Sequence, residues 1–233
     1  MQLTQAGSYN ATVSVLGCIS PIGITSVVIN TVPTSSFTVT TPICSGQDGT
    51  INYTGTGTSA ANYNWNFNGG IITNGANAGP YTLNWPSAGN YNVTLTVTEN
   101  GCTSIQTNQA VTVNATPSSS FTVSPNMCLS DSTIVTYTGS GTSAANYNWN
   151  FNNANVLSGS GQGPYSVNYP SGGVYTLSLI VDENGCVSST TIDTVNVFTN
   201  PTATFLLSDH DICPDEIVTF NYIGTGTASA NYN

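Results

Sequence analysis

Pro33, Pro117 and Pro201 open the phrases "PTSSF", "PSSSF" and "PTATF" at a constant interval, and this 84-residue period constrains the fold more than any other feature. Cys18, Cys102 and Cys186 keep the same interval, as do Cys44 and Cys128, with Cys213 one residue late. The stretch "ANYNWNF" occurs at 61–67 and again at 145–151. A period shared by Pro, Cys, Trp and Phe marks tandem repeats. The expected division is the back part of one repeat (1–32), two whole repeats (33–116 and 117–200) and the front part of another (201–233). Such a chain reads as a window on a longer periodic protein.

Within each repeat the hydrophobic period is 2. In "YNVTLTVTENGC", Tyr91, Val93, Leu95 and Val97 alternate with Asn92, Thr94, Thr96 and Thr98. "YTLSLIVDENGC" repeats the pattern with Tyr175, Leu177, Leu179 and Val181. Alternation of apolar and β-branched residues predicts half-buried strands. Asn100-Gly101 and Asn184-Gly185 suit the two positive-φ positions of a type I′ hairpin turn. Shorter strands are expected in "TIVTYTG", "YNWNF", "YTLNW" and "AVTVN", and no segment has a helical period. Roughly seven short strands per repeat, with a Trp on the third, predict an all-β chain of tandem immunoglobulin-like sandwiches, arranged as a rod.

Charge narrows the function. The 233 residues contain no Lys and no Arg against ten Asp plus Glu, a formal net charge of −10. Without cations to neutralise phosphates, nucleic-acid binding is excluded as an expectation, and anionic membrane surfaces are disfavoured. No run approaches the length of a transmembrane helix, so no membrane insertion is expected of this segment. One His and no Lys or Arg leave general-base, oxyanion and phosphate roles without their usual candidates, so no enzyme is expected and no catalytic residue is named. Asp182-Glu183, at a hairpin tip, reads as a solvated turn.

"YNWNFNGG…GPYTLNWPSAGNYNVTLTVTENGC" resembles the PKD domain, whose hallmark is a Trp-x-Phe strand, a Gly/Asp turn and then an alternating Tyr-x-Val-x-Leu-x-Val strand. The turn departs from the family pattern: Asn68-Gly69-Gly70 and Asn152-Asn153-Ala154 stand where the family has an acidic turn, so no cation role is carried over to it. The early Cys, the late "ENGC" and the Thr/Asn-rich strands further resemble repeats of giant Bacteroidota surface proteins exported by the type IX system. That resemblance implies gliding-motility or adhesion proteins at the cell surface.

The remaining candidates are few. "SDHDICPDE" gathers Asp209, Asp211, Asp215 and Glu216, oxygen donors of the kind calcium takes. The other repeats lack these acids, so a plain acidic loop is preferred and no cofactor is assigned. Trp65, Phe67, Trp149, Phe151, Tyr91 and Tyr175 are expected in the sandwich core, whereas Trp85 and its counterpart Tyr169 are the better candidates for exposure. Sequons place N-glycan candidates at Asn10, Asn52, Asn92 and Asn114. Ser132 and Thr194 sit in motifs resembling Bacteroidota O-glycosylation sites.

Six cysteines suggest disulfides and an oxidising, extracellular compartment. In an immunoglobulin-like path Cys44 and Cys102 fall at opposite ends of one sandwich. The preferred expectation is therefore a staple between repeats, Cys44–Cys186, with Cys128 facing a cysteine beyond Asn233. Bonds within repeats, Cys44–Cys102 and Cys128–Cys186, are the simpler alternative. Three functions follow: stalk repeats presenting a distal binding element; a polysaccharide-binding module; or a filament subunit exchanging strands between chains. The expected partners are neighbouring repeats, other copies associating laterally, and surface polysaccharide.

Overall fold

The computed structural model describes residues 5–226 and 229–231, and every described element is a β-strand. The chain divides into two compact units, Met1–Ala115 and Thr116–Asn233. The first opens with β1 (Gly7–Ala11) paired antiparallel to β4 (Gly23–Val27), and the short β2 (Ser14–Val15) paired to β3 (Cys18–Ile19).

The sandwich that follows runs from β5 to β13. One sheet holds β5 (Phe37–Val39), β7 (Asp48–Tyr53), β10 (Tyr81–Asn84) and β9 (Ile71–Asn74) in that spatial order. The facing sheet is built on the long β11 (Gly89–Glu99). It pairs with β8 (Asn62–Asn66), β12 (Cys102–Thr103) and β13 (Thr107–Asn114). The short β6 (Ile43–Cys44) closes the sheet by running parallel to the end of β13, with Ile43 opposite Val113 and Cys44 opposite Asn114. More strands form than the expected seven because the entry strand breaks into β5 and β6, and the Asn-Gly hairpin adds β12.

The second unit repeats this plan. One sheet holds β14 (Phe121–Thr122), β16 (Thr133–Tyr137), β19 (Tyr165–Asn168) and β18 (Asn155–Ser158). The other is built on β20 (Gly173–Glu183), with β15 (Asn126–Cys128), β17 (Asn146–Asn150), β21 (Cys186–Val187) and β22 (Thr191–Phe198). Last comes an antiparallel pair, β23 (Phe205–Leu207) and β24 (Phe220–Tyr222).

The period-2 pattern sets the core. Val93, Leu95 and Val97 of β11 are fully buried, as are Leu177, Leu179 and Val181 of β20. The Asn-Gly turns form as expected: Glu99 pairs with Cys102, and Asn100 and Gly101 take φ of 48° and 80°. Asn184 and Gly185 match them at 52° and 78°. Both φ values are positive, as a type I′ turn requires.

Candidate functional site: the entry clasp and the cysteines

The most repeated polar arrangement ties the start of each repeat to the loop after its second long strand. After Pro33, the Thr34 amide donates to Thr56 Oγ1 at 3.0 Å, and the Thr56 amide donates back to Thr34 Oγ1 at 3.0 Å. Tyr53, at the end of β7, donates its hydroxyl to Thr34 O at 2.6 Å and accepts the Gly57 amide at 2.7 Å. Gly55 makes the approach possible, since a β-carbon there would lie 2.2 Å from Thr34 O. The other side of the entry segment is held by Ser35, which is buried and donates to Ile105 O at 2.6 Å.

The clasp recurs in the second unit. Ser118 and Ser140 exchange the reciprocal bonds at 2.9 and 3.0 Å. Tyr137 donates to Ser118 O at 2.7 Å and accepts the Gly141 amide at 2.6 Å. Ser119 repeats the role of Ser35, donating to Ser189 O at 2.6 Å. A third copy joins Thr202 to Thr225 and Tyr222 to Thr202 O. Sequence reasoning missed this arrangement. Its signal was present in the constant Tyr-x-Gly-x-Gly phrase at 53–57, 137–141 and 222–226.

A second recurring contact corrects the solvated-turn expectation for Glu183. Its carboxylate accepts the hydroxyl and the amide of Thr142, and Glu99 does the same with Thr58. Each hairpin tip thereby buckles to the loop beside the clasp. Tyr147 packs there too, its pKa pushed up to about 12 by burial first and then by the Tyr137 phenol and the Glu183 carboxylate.

The aromatic expectations divide. Trp65, Phe67 and Tyr91 pack against the first core while staying half-buried, and Trp149, Phe151 and Tyr175 do so in the second. The Trp65 indole donates to Asn77 O at 2.9 Å. The expectation of exposure for Trp85 and Tyr169 is overturned: they are 2% and 3% exposed. Tyr81, Leu83 and Trp85 are all buried, so the period-2 alternation of β10 runs one residue past the strand's end. Trp85 donates its indole N–H to Phe67 O at 3.2 Å, whereas the buried Tyr169 hydroxyl has no partner. Burial, then the Tyr175 phenol stacked on it at 3.9 Å, pushes the Tyr169 pKa up to about 12.

The acidic loop stays dispersed. Asp209 accepts the amides of His210 and Asp211, and Glu216 accepts the amide of Cys213. Among the described residues no group of three His, Cys, Asp or Glu side chains, Asp211 and Asp215 included, is placed to hold a metal ion. Ser132 is exposed in a loop and Thr194 is exposed within β22. Asn10, Asn52 and Asn92 are exposed and Asn114 is half-buried.

Cys44 and Cys186 each take part in a disulfide, whereas Cys18, Cys102, Cys128 and Cys213 are free thiols. Register places Cys44 and Cys102 far apart. Cys44 lies opposite Asn114, whose neighbour Val113 pairs with Gly89 at one end of β11. Cys102 lies opposite Glu99, at the other end. Ten strand steps of about 3.4 Å separate those ends, roughly 34 Å. A disulfide needs Cα atoms within about 7 Å.

At the front of the first sandwich, Asn30 donates its side-chain amide to Asn100 O in the hairpin turn at 2.9 Å. The Cys102 thiol lies 3.7 Å from Asn30 O. Among the described residues no helix is long and apolar enough to cross a membrane.

Residues 34–113 match the model of the PKD domain. A search of the curated proteins finds no match. Among solved structures, extracellular domains 3–5 of Drosophila OTK align at 14% identity over 84% of this chain and 71% of theirs, with a TM-score of 0.41. The N-terminal eight Ig domains of Down Syndrome Cell Adhesion Molecule align at 10% identity over 88% of this chain and 29% of theirs, TM-score 0.49. Invasin, a bacterial integrin-binding protein, aligns at 17% identity over 95% and 54%, TM-score 0.38. Two strand-for-strand copies of a two-sheet fold, the first matching the PKD domain, make this chain an all-β tandem of immunoglobulin-like sandwiches.

Proposed function

We propose that the chain is a run of stalk repeats from an extracellular surface adhesin or filament, spacing a distal binding element from the cell. The observation that carries this is the entry clasp. What recurs from repeat to repeat is a device for fixing where the chain enters each sandwich, and no polar cluster of the kind a binding site needs recurs with it among the described residues. An entry pinned within two residues of its proline leaves little linker to bend. A polysaccharide-binding module would want exposed aromatic platforms, and the two residues best suited by sequence, Trp85 and Tyr169, are core. The lineage belongs to the same proposal: Thr/Asn-rich strands with an early Cys and a late "ENGC" support a type IX-exported Bacteroidota surface protein. The exposed Ser132 and Thr194 are then its O-glycan positions.

The stalk has a covalent joint in this proposal, the Cys44–Cys186 bond. Its support lies within the first unit. There Asn30 sits on the hairpin turn of the following sandwich, next to Cys102. The 84-residue period carries Asn30 to Asn114 and Cys102 to Cys186. Asn114 is the register neighbour of Cys44. The same docking at the next joint therefore brings Cys186 beside Cys44. Non-reducing peptide mapping with a protease other than trypsin is expected to recover Cys44 joined to Cys186, and a Cys44–Cys102 peptide would refute the joint.

The spacer role is tested by duplicating residues 117–200 in frame and imaging both chains by electron microscopy. A stalk lengthens by one sandwich, about 35–40 Å for an eleven-residue strand. Particles that thicken without lengthening, or a glycan array that lights up with the parent chain, would overturn it.

A further inference from the structure

We infer that the Cys44–Cys186 bond makes this length of stalk nearly inextensible, by providing a covalent bypass around both sandwich cores. The inference rests on the joint proposed above and adds a mechanical consequence to it. Tension applied to a polypeptide follows the shortest covalent path. Without a cross-link that path is the whole backbone, and each sandwich that opens releases its own length. With Cys44 joined to Cys186, 142 residue steps drop out of the path.

The strands inside the bypass are those that build the cores. Every strand from β7 to β20 lies between the two cysteines, including the buried stripes of β11 and β20. Outside it, in the two sandwiches, only the entry segment of the first and the exit segment of the second carry tension.

Both segments are held at the point of loading. In the first sandwich, Thr34 is clasped to Thr56, and β6 is zipped to the exit strand, with the Ser45 amide donating to Asn114 O at 2.8 Å. In the second, β22 pairs with β20 along seven residue pairs and with β15 along three. The bonded cysteines stand at these strands rather than at loop tips: Cys44 ends β6, and Cys186 begins β21 and is 1% exposed. The free Cys102 thiol is half-buried, and Cys128 is exposed on β15.

The magnitudes are large. At about 3.5 Å per extended residue, 233 residues reach about 800 Å, whereas the bypassed path of 91 residue steps reaches about 320 Å. Reduction therefore releases about 500 Å. The test is single-molecule force spectroscopy on the whole chain held by its termini, with free thiols alkylated, before and after reductant, alongside peptide mapping of the same preparation. The oxidised chain is expected to stop at about 320 Å whatever unfolds, and to give one release of about 500 Å on reduction. A Cys44→Ser chain is expected to reach about 800 Å without reductant. That control reads covalent connectivity, so it holds even if the variant folds poorly.

Three results would overturn the inference. Two releases of about 200 Å each would mean bonds within repeats, and the joint would fall with the bypass. An oxidised chain that reaches about 800 Å with no release on reduction would mean that no bond constrains it, and again both fall. Mapping that recovers Cys44–Cys186, with a partial release of about 200 or 300 Å appearing without reductant once the alkylation is omitted, would leave the joint standing. The bypass around both cores would then be lost, because Cys102 or Cys128 attacks the bond under tension, forms a new disulfide with Cys44 or Cys186 that encloses a shorter loop, and frees the other cysteine as a thiol.

Discussion

Gly70 in the first sandwich and Ala154 in the second occupy the same place, and the difference between them is matched by two others. A β-carbon on Gly70 would lie 2.5 Å from Leu83 Cδ1 and 3.0 to 3.1 Å from the Trp85 indole. The second sandwich has a β-carbon there, Ala154, and has Val167 for Leu83 and Tyr169 for Trp85. Volume added at one position is removed at two neighbours. Gly70 is not one of the positive-φ glycines, so its substitution is a question of space alone.

Gly70→Ala should therefore cost about 1–3 kcal/mol, the usual penalty of overpacking a core. Leu83→Val alone should cost about 1 kcal/mol, because Leu83 is fully buried and loses a methylene. Together they should cost less than their sum, by a coupling of about 1–2 kcal/mol, because valine has no δ-carbon to meet the new methyl. Urea unfolding followed by hydrogen exchange on the β10 and β11 amides reads the first sandwich separately from the second. Penalties that add within about 0.3 kcal/mol would refute the claim that the repeats differ by compensated packing.

The clasp predicts that Tyr53→Phe and Tyr137→Phe each cost about 1–3 kcal/mol, by leaving the amides of Gly57 and Gly141 unpartnered, and that the two costs agree. Chemical denaturation of each variant checks this, and a negligible effect at either site would mean the hydroxyl is dispensable. Tyr169→Phe should instead stabilise the second sandwich, by about 1 kcal/mol, because it removes a buried hydroxyl with no partner. Tyr169 and Tyr147 have folded-state pKa values raised to about 12 against an ordinary 10, so the unfolded chain loses their protons first as pH rises. Their contribution is whole below about pH 10 and lost between 10 and 12. Alkaline melts should show that decline, and Tyr169→Phe should make it shallower.

The fold was legible because its signals are local and repeated. Alternation in "YNVTLTV" fixed the face of β11, and Asn100-Gly101 fixed the hairpin, since few other residue pairs take two positive φ values. Trp85 was misjudged for a physical reason. A Trp that becomes Tyr in the next copy looks tolerant of change, as surface residues are, yet Tyr81 and Leu83 already placed position 85 on the inner face. The change survives because Ala154 and Val167 change with it. The clasp was harder to read: its bonds to the entry segment join residues 19 to 23 positions apart through hydroxyls and backbone, and a chain so rich in Thr and Ser gives no compositional hint of which hydroxyls matter.

That richness follows from the missing cations. With no Lys or Arg, the carboxylates of Glu99 and Glu183 have no side-chain salt-bridge partner nearby, and each turns to a threonine hydroxyl and amide. Hydroxyl–amide exchange does at the repeat entries what an ion pair does elsewhere. Neutral pairs at close range gain little from charge and lose little to salt, since screening acts on exposed charges. In the proposed stalk, contacts held this way lose little as ionic strength rises, and a uniform negative charge keeps separate copies apart. The same uniformity denies it ion pairs as a source of strength, and the covalent joint proposed above would supply in one place what the surface cannot.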